Sequence, residues 1–312
     1  MSGILVTGAT GFVGSALCAE LEARGIGHRG AVRAGPAPGQ VAVGDLGASA
    51  DWTRALAGID CVVHLAARVH VMQEQAPDPL ENFRQMNVAA TMHLARQAHA
   101  AGVRRFVFVS SIKVNGEATH GMPFRACDLP RPEDPYGQSK LEAEQALFAW
   151  GRGSGMDIVV VRPPLVYGPG VKANFRQLIV LAARGWPLPF GRVDNRRSMV
   201  ALANLVDLLI VVTQHREAPG RVWLVSDGVD LSTPELIRLL AAAAARRAYL
   251  LSVPPGLLRL GARIIGRQAM AERVLGSLQV DIAQTREALE WTPVIDPPTA
   301  LAQTMAAYLA DS

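Results

Sequence analysis

Three glycines spaced three residues apart constrain the fold of this chain more than any other feature of its sequence. They lie in the run Thr-Gly-Ala-Thr-Gly-Phe-Val-Gly at residues 7–14, between a short apolar run and a stretch with helical periodicity. Gly8 allows a tight turn, Gly11 lets the backbone come close to a phosphate, and Gly14 lets the helix lie against the strand. Because free N–H groups at a helix N-terminus bind anions, the pattern predicts a pyrophosphate site on this turn.

The first half of the chain alternates between strand and helix periodicity. Strands are expected at residues 3–7, 40–43, 61–65, 105–111 and 157–162, with one more that ends at residues 31–33. Helices are expected at residues 12–24 and 80–101, and a third from Pro135 to about Trp150 with Asp134 as its N-cap. This alternation predicts the α/β class, with a Rossmann-type doubly wound parallel sheet covered by helices on both faces.

The local composition of the chain changes after Pro163, where prolines and glycines cluster. Beyond that point we expect a helix at 198–215, a strand at 221–226 and a helix from the capping box at Ser232 to Arg247. The change predicts a smaller C-terminal substrate-binding domain. We expect residues 1–169 to form the dinucleotide-binding domain, with 198–226 returning to it, and residues 170–197 and 227–312 to form the second domain.

Composition excludes several classes of function. Half of the residues are hydrophobic and 19% are charged, which is typical of a globular protein. The net charge is +4, but no run of four basic residues occurs, so we expect no nucleic-acid partner. No apolar stretch reaches the length of a membrane span, and the first strand leaves no room for a leader, so we expect no membrane insertion and a cytoplasmic location. The cysteines, which show no metal-ligand spacing, are expected to be reduced thiols: Cys18, Cys61 and Cys127.

A tyrosine and a lysine stand four residues apart at the start of the helix after Asp134. Tyr136 and Lys140 therefore share one helix face, about one turn apart. A nearby ammonium favours the phenolate, so we expect Lys140 to lower the pKa of Tyr136. This is the acid/base group that chemistry on an alcohol or ketone requires. A hydroxyl donor is expected from the strand end before it, at Ser110 or Ser111.

Together these motifs resemble the extended branch of the short-chain dehydrogenase/reductase superfamily, the NAD-dependent epimerase/dehydratase family. The resemblance covers essentially the whole chain and implies an enzyme that binds NAD(P). It selects Ser111 over Ser110 as the catalytic hydroxyl, because the family places that residue about 25 positions before the tyrosine. The cofactor contacts that it implies, besides Tyr136 and Lys140, are Gly8, Gly11, Phe12, Val13, Gly14, Asp45, Leu46, Leu65, Ala66, Ala67, Asn87 and Pro163.

The residues after Ser111 bear on the reaction type within the nucleotide-sugar enzymes of this branch. A 4,6-dehydratase would have an aspartate and a glutamate where this chain has Ile112 and Lys113, so dehydration is disfavoured. The usual Val-Tyr-Gly is replaced by Val114-Asn115-Gly116. Reduction and epimerisation at C4 of a nucleotide-linked sugar both remain.

The end of the second strand bears on the choice between these two reactions. The chain has Arg33 where an aspartate would contact the ribose 2′-hydroxyl of NAD, and a guanidinium suits the 2′-phosphate of NADP. Arg33 therefore favours NADP(H) and NAD(P)H-dependent reduction at C4 of a UDP-4-keto-hexose. Residues 110–117 and 169–175 resemble segments of bacterial surface-polysaccharide enzymes that act on UDP-linked N-acetyl sugars, which implies an N-acetylated 6-deoxy sugar of polysaccharide biosynthesis as the substrate. The alternative is a UDP-hexose 4-epimerase with tightly bound NAD. A non-catalytic dinucleotide sensor is disfavoured because Tyr136 and Lys140 are both present, and a reductase of small aldehydes or ketones is a further alternative.

The substrate side is expected to contain basic residues. Only three lysines occur against 28 arginines, and two of them, Lys113 and Lys172, lie in segments that resemble the family's substrate region. The substrate contacts expected there are Lys113, Lys172, Asn174, Arg197, with Arg196 as its rival, and Arg273. A homodimer is also expected, through helices at residues 80–101 and 136–150, because related enzymes often dimerise through two helices from each subunit.

Replacement of Arg33 tests the cofactor expectation. Arg33→Ala should raise the KM for NADPH and leave that for NADH nearly unchanged, because only NADPH carries the 2′-phosphate that a guanidinium would bind. Steady-state kinetics with both cofactors, before and after the change, measure this. A preference for NADH in the unmodified protein would contradict the expectation.

Overall fold

The computed structural model describes residues 3–45, 47, 49–68 and 78–311, apart from the side chains of residues 173, 174 and 269. Its centre is a parallel sheet of seven strands in the order β3-β2-β1-β4-β5-β6-β9. The strands are β1 Gly3–Thr7, β2 His28–Val32, β3 Gln40–Ala42, β4 Ile59–His64, β5 Arg105–Val109, β6 Asp157–Arg162 and β9 Arg221–Leu224. The strand order reverses between β1 and β4, which is the point where doubly wound sheets bind their ligands. The predicted α/β fold is confirmed.

Helices cover both faces of this sheet. In chain order the α-helices are α1 Phe12–Ala23, α2 Thr53–Leu56, α3 Pro79–Arg84, α4 Ala90–Ala100, α5 Pro135–Ser154, α6 Ala173–Arg184, α7 Leu202–Gln214, α8 Thr233–Ala243, α9 Pro255–Ile264, α10 Gln268–Leu275, α11 Ala283–Ala288 and α12 Pro297–Ala310. A π-helical turn at Gln85–Ala89 joins α3 to α4, and a 3₁₀ turn at Ile112–Val114 follows β5. Among the described helices, none is long and apolar enough to cross a membrane.

Alternate residues of the strands enter two cores because successive side chains point to opposite faces. Val63 and Val107 pack with helix α7 on one face. Val62 and Phe106 pack with α4 and α5 on the other. Strands buried on both faces explain why the sequence shows continuous apolar runs there and not alternation.

A third core lies outside the main sheet. Strands β7 Leu165–Tyr167 and β8 Met199–Ala201 form a separate parallel pair. Their side chains pack with residues of α6, α8 and α12. This arrangement fits a smaller C-terminal unit, but the domain boundaries given above stay a prediction.

Two sequence expectations need correction, and two further elements were not anticipated. The helix expected at 198–215 contains β8 and only then α7, because the apolar residues 199–201 pair with β7. The helix expected to reach Arg247 ends at Ala243, and Ala245 adopts a left-handed backbone with φ of +52°. Helix α6 and strand β7 were not anticipated, since the prolines and glycines around them obscured the periodicity.

Candidate active site

The glycine turn after β1 is built without room for side chains. Gly8 has φ of +68°, in the left-handed region that favours glycine. A Cβ added to Gly14 would lie 2.1 Å from the Gly8 carbonyl oxygen, so helix α1 can lie this close to the turn only with glycine there. Gly11 is the N-cap, and neither a capping side chain nor an acidic residue occupies the first turn. The first-turn amides, including those of Phe12 and Val13, therefore have no helical acceptor, and such amides can bind an anion.

The residues expected beside the adenosine lie past the ends of β2 and β3. Arg33 is exposed immediately after β2, and its carbonyl accepts a hydrogen bond from Gly44 at 3.1 Å. Asp45 follows Gly44 and is also exposed. Leu46 lies outside the described residues. The structure thus brings Arg33 and Asp45 to one edge, next to the strand that carries the glycine turn.

A buried hydrogen-bond chain holds the segment after β4. The Thr7 hydroxyl oxygen accepts from the amides of Leu65 and Ala66, each at 3.2 Å, and lies 2.8 Å from His64 Nδ1. Since the two amides occupy the oxygen as acceptor, the Thr7 proton is directed to Nδ1, and Nε2–H donates to Thr91 at 3.0 Å. Burial, and secondarily the charge of Lys140, lowers the pKa of His64 to about 3, so the ring is neutral. These bonds place Leu65, Ala66 and Ala67 beside the glycine turn.

Helix α5 positions the tyrosine and lysine. Asp134 is its N-cap and accepts from the Gly137 amide at 2.6 Å, while Pro135 occupies the first turn. Lys140 is fully buried, and its Nζ donates to the Val109 carbonyl at 2.9 Å. Val109 ends β5 immediately before Ser110 and Ser111. The lysine therefore connects helix α5 to the strand end that carries both serines.

The protonation of this pair differs from the sequence expectation. Burial, with a smaller contribution from Asp134, raises the pKa of Tyr136 to about 12. Burial also lowers the pKa of Lys140 to about 7, against the opposing charge of Glu144. Lys140 Nζ lies 4.5 Å from the centre of the Phe108 ring and 5.9 Å from that of Tyr136. The expected lowering of the tyrosine pKa is thus wrong for the chain by itself, because desolvation outweighs the attraction over this distance.

The two serines occupy different environments. Ser111 is the half-buried N-cap of the 3₁₀ turn, and its Oγ accepts from the Lys113 amide at 3.3 Å. Ser110 is buried, and its Oγ has no hydrogen-bond partner among the described residues. An unpaired buried hydroxyl is costly and marks a position worth explaining. Ser111 stays the predicted catalytic hydroxyl, and Ser110 stays its rival.

Asn87 and Pro163 hold backbone segments around the site. Asn87 lies in the π-helical turn and is buried. Its Oδ1 accepts from the Arg68 amide at 2.9 Å, and its Nδ2 donates to Ser139 Oγ at 3.0 Å. It thereby links the segment after β4 to helix α5. The Pro163 carbonyl accepts from the Ile112 amide at 2.9 Å, which joins the end of β6 to the turn after Ser111.

The expected substrate residues separate into two groups. Arg197 donates to the Gly276 carbonyl at 3.0 Å, and Arg273 lies close enough to add to the lowering of the Arg197 pKa that burial causes. Lys113 Nζ lies 2.6 Å from Glu117 and 2.5 Å from Asp134, so its ammonium helps to fix the start of α5. Lys172 is exposed immediately before α6. The side chain of Asn174 lies outside the described residues.

A buried ion pair near the site escaped the sequence analysis. Arg162 donates to Glu144 at 3.0 and 2.5 Å and to Asn115 Oδ1 at 2.9 Å. Asn115 also donates to the Arg125 carbonyl at 3.0 Å. The one signal in the sequence was Asn115, which stands where the family has a tyrosine. Here it accepts a hydrogen bond from the Arg162 guanidinium.

Comparison with known proteins gives a family match and relatives that cover most of the chain or nearly all of it. The model of the NAD dependent epimerase/dehydratase family matches residues 4–226. The UDP-glucose 4-epimerase of Vibrio cholerae is 45% identical over 98% of this chain and 95% of its own. The GDP-6-deoxy-D-mannose reductase of Pseudomonas aeruginosa is 31% identical over 81% of this chain and 80% of its own.

A solved structure is also similar to this chain over nearly its whole length. MoeE5 in complex with UDP-glucose and NAD is 27% identical, has a TM-score of 0.79, and covers 99% of both chains. Full coverage of both chains means that the small C-terminal unit has a counterpart there, as does the sheet.

Tyr136→Phe tests the acid/base assignment. Removing the phenolic proton should lower kcat by about 10²- to 10⁴-fold, because proton transfer to the sugar oxygen is lost. The Kd for the cofactor, measured by fluorescence titration, should change little. Tyr249→Phe, at an exposed tyrosine, serves as the matched control. Unchanged turnover in Tyr136→Phe would refute the assignment.

His64 provides a prediction for acid stability. Its folded pKa lies below the ordinary value of 6.5, so the unfolded chain binds more protons between these values and stability falls as pH drops through this window. The free energy of unfolding of the parent should therefore fall more steeply below pH 6.5 than that of His64→Gln, by up to about 1.4 kcal/mol per pH unit. Urea denaturation at several pH values measures this, with exposed His120→Gln as control. Identical slopes for the parent and His64→Gln would contradict it.

Proposed function

The chain belongs to the NAD-dependent epimerase/dehydratase family, and we propose that it is a UDP-hexose 4-epimerase. The observation that carries the proposal is the 45% identity, over nearly the whole of both chains, to the UDP-glucose 4-epimerase of Vibrio cholerae. The sequence alone favoured reduction at C4 and kept epimerisation as the alternative. The relatives support epimerisation better than reduction, and Arg33 is a single residue against similarity over nearly the whole chain.

The residues present suit NAD(P), the cofactor of this enzyme family. The glycine turn has no space for a Cβ at Gly14, and the uncapped helix N-terminus beside it suits a pyrophosphate. Lys140 uses one of its three N–H groups on Val109, which leaves donors for the hydroxyls of the nicotinamide ribose. When bound, the cofactor supplies a hydride acceptor and donor at the nicotinamide ring.

The proton chemistry at C4 is assigned to three side chains. Tyr136 accepts the proton of the C4 hydroxyl and later returns it, while Ser111 donates a hydrogen bond to the same oxygen. The charge of the Lys140 ammonium favours the phenolate, and this attraction must overcome the burial that raises the tyrosine pKa to about 12. Because an epimerase uses the same acid/base group in both directions, it needs no further carboxylate, and Ile112 and Lys113 provide none.

The diphosphate of the substrate is assigned to the arginine pair. Arg197 is half-buried, with Arg273 close to it and Glu117 near enough to offset part of their charge. Two guanidinium groups that repel each other in the free chain bind a dianion more favourably than one does. Lys113, Lys172 and Asn174 remain predicted contacts for the sugar or nucleotide, and a homodimer through α3–α4 and α5 remains a prediction.

Reduction at C4 is a second candidate, supported by one specific observation. Arg33 is exposed at the end of β2, where a 2′-phosphate would lie. The relationship to the GDP-6-deoxy-D-mannose reductase of Pseudomonas aeruginosa fits the same chemistry. A role in polysaccharide biosynthesis would suit either candidate.

A 4-epimerase and a C4 reductase differ in whether they consume a reduced cofactor. An epimerase incubated with UDP-glucose or UDP-N-acetylglucosamine alone should form the 4-epimer until equilibrium, and the purified protein should release NAD on denaturation. NMR of the sugar nucleotides and chromatography of the released cofactor measure these outcomes. Protein that forms no epimer but oxidises NADPH when given a UDP-4-keto sugar would overturn the proposal in favour of the reductase.

A further inference from the structure

Helix α9 presents its apolar face to solvent. Leu257, Leu260 and Ile264 are spaced three and four residues apart and therefore share one face of the helix. They are 60%, 55% and 76% exposed, and no residue of α9 is buried. Of the 14 large hydrophobic side chains exposed in the described part of the chain, seven lie in residues 249–270. A contiguous exposed apolar face of this kind marks an interaction surface.

The arginines of the same helix are also exposed, and one of them contacts the neighbouring helix. Arg259 lies 3.4 Å from Glu272 of α10, against which α9 packs. This ion pair uses the one acidic residue of residues 246–275, and both of its side chains remain exposed. The helix therefore exposes its apolar face as well as its arginines, whereas an ordinary surface helix buries its apolar face.

Positive charge is concentrated in this segment. Residues 246–275 contain six arginines and one glutamate, whereas the rest of the chain contains 25 basic and 26 acidic residues. The net positive charge of the protein thus resides in the part of the chain that carries the exposed apolar face. Within the described residues, Arg263 and Arg267 make no ion pair.

We propose that the α9–α10 helix pair docks on the surface of an anionic phospholipid membrane. An amphipathic helix with leucine and isoleucine on one side and arginine around it lies in the interfacial plane, with its apolar face among the acyl chains and its guanidinium groups at the phosphates. A second copy of the chain fits less well, because a two-fold interface would set one basic segment against another. Arg273 of α10 belongs to the predicted diphosphate site, so docking would bring that site close to the membrane.

Vesicle co-sedimentation of the full-length protein tests the proposal. The protein should sediment with vesicles of mixed phosphatidylglycerol and phosphatidylcholine and not with vesicles of phosphatidylcholine alone. The double variant Leu257→Ser/Ile264→Ser should weaken this association about tenfold or more, through lost apolar burial. Arg263→Gln/Arg267→Gln should weaken it about fivefold per charge and reduce its salt dependence.

Two exposed positions outside residues 246–275 provide matched controls. Leu129→Ser and Arg216→Gln, at exposed positions of the same residue types outside the segment, should bind vesicles like the parent. The thermal midpoints of the double variants should match that of the parent, since the altered side chains are mostly exposed. Sedimentation no greater than with neutral vesicles, or binding unaltered in both double variants, would overturn the proposal. So would a dimer in light scattering that Leu257→Ser/Ile264→Ser dissociates, because a second copy would then cover the face.

Discussion

The candidate active site depends on how helix α5 is fixed to the sheet, and the buried ammonium of Lys140 is the central contact. A charged group in this position loses its hydration, so it is stable only where an acceptor and a favourable ring face replace water. The Val109 carbonyl and the Phe108 ring fill these roles. Because Val109 directly precedes the serines, the same bond that holds the lysine also fixes the distance between helix and strand end. The tyrosine one turn earlier is placed as a consequence.

Three further side-chain contacts also fix helix α5 to the rest of the fold. Ser139, Glu142 and Glu144 each bind a side chain from a different part of the chain, namely Asn87, Arg84 and Arg162. The helix is thereby anchored to the π-helical turn, to α3 and to β6. A pair of acid/base residues needs such support, because a shift of the tyrosine by a fraction of its hydrogen-bond length would separate it from the sugar oxygen.

The sequence predicted the parts of this fold that local rules govern. The glycine turn, strands β1 and β6, and the Asp134 cap with Pro135 agree with the structure because turn geometry, buried apolar runs and capping are encoded within a few residues. Strand β8 could not be predicted, because it forms by pairing with β7, about 30 residues earlier in the chain. The end of α8 could not be predicted either, because it depends on the left-handed backbone of Ala245. The tyrosine pKa was missed for a related reason, because burial is a property of the assembled fold and opposes the charge that the spacing suggested.

The central claim is that hydride and proton both leave and return at C4 of one sugar nucleotide. UDP-glucose deuterated at C4 tests this directly, with mass spectrometry and NMR of the product formed in the absence of added cofactor. We predict that the 4-epimer forms with deuterium retained at C4, because the hydride would stay on the bound cofactor between the two steps. Formation of product with hydrogen at C4, or only in the presence of added NADPH, would contradict it.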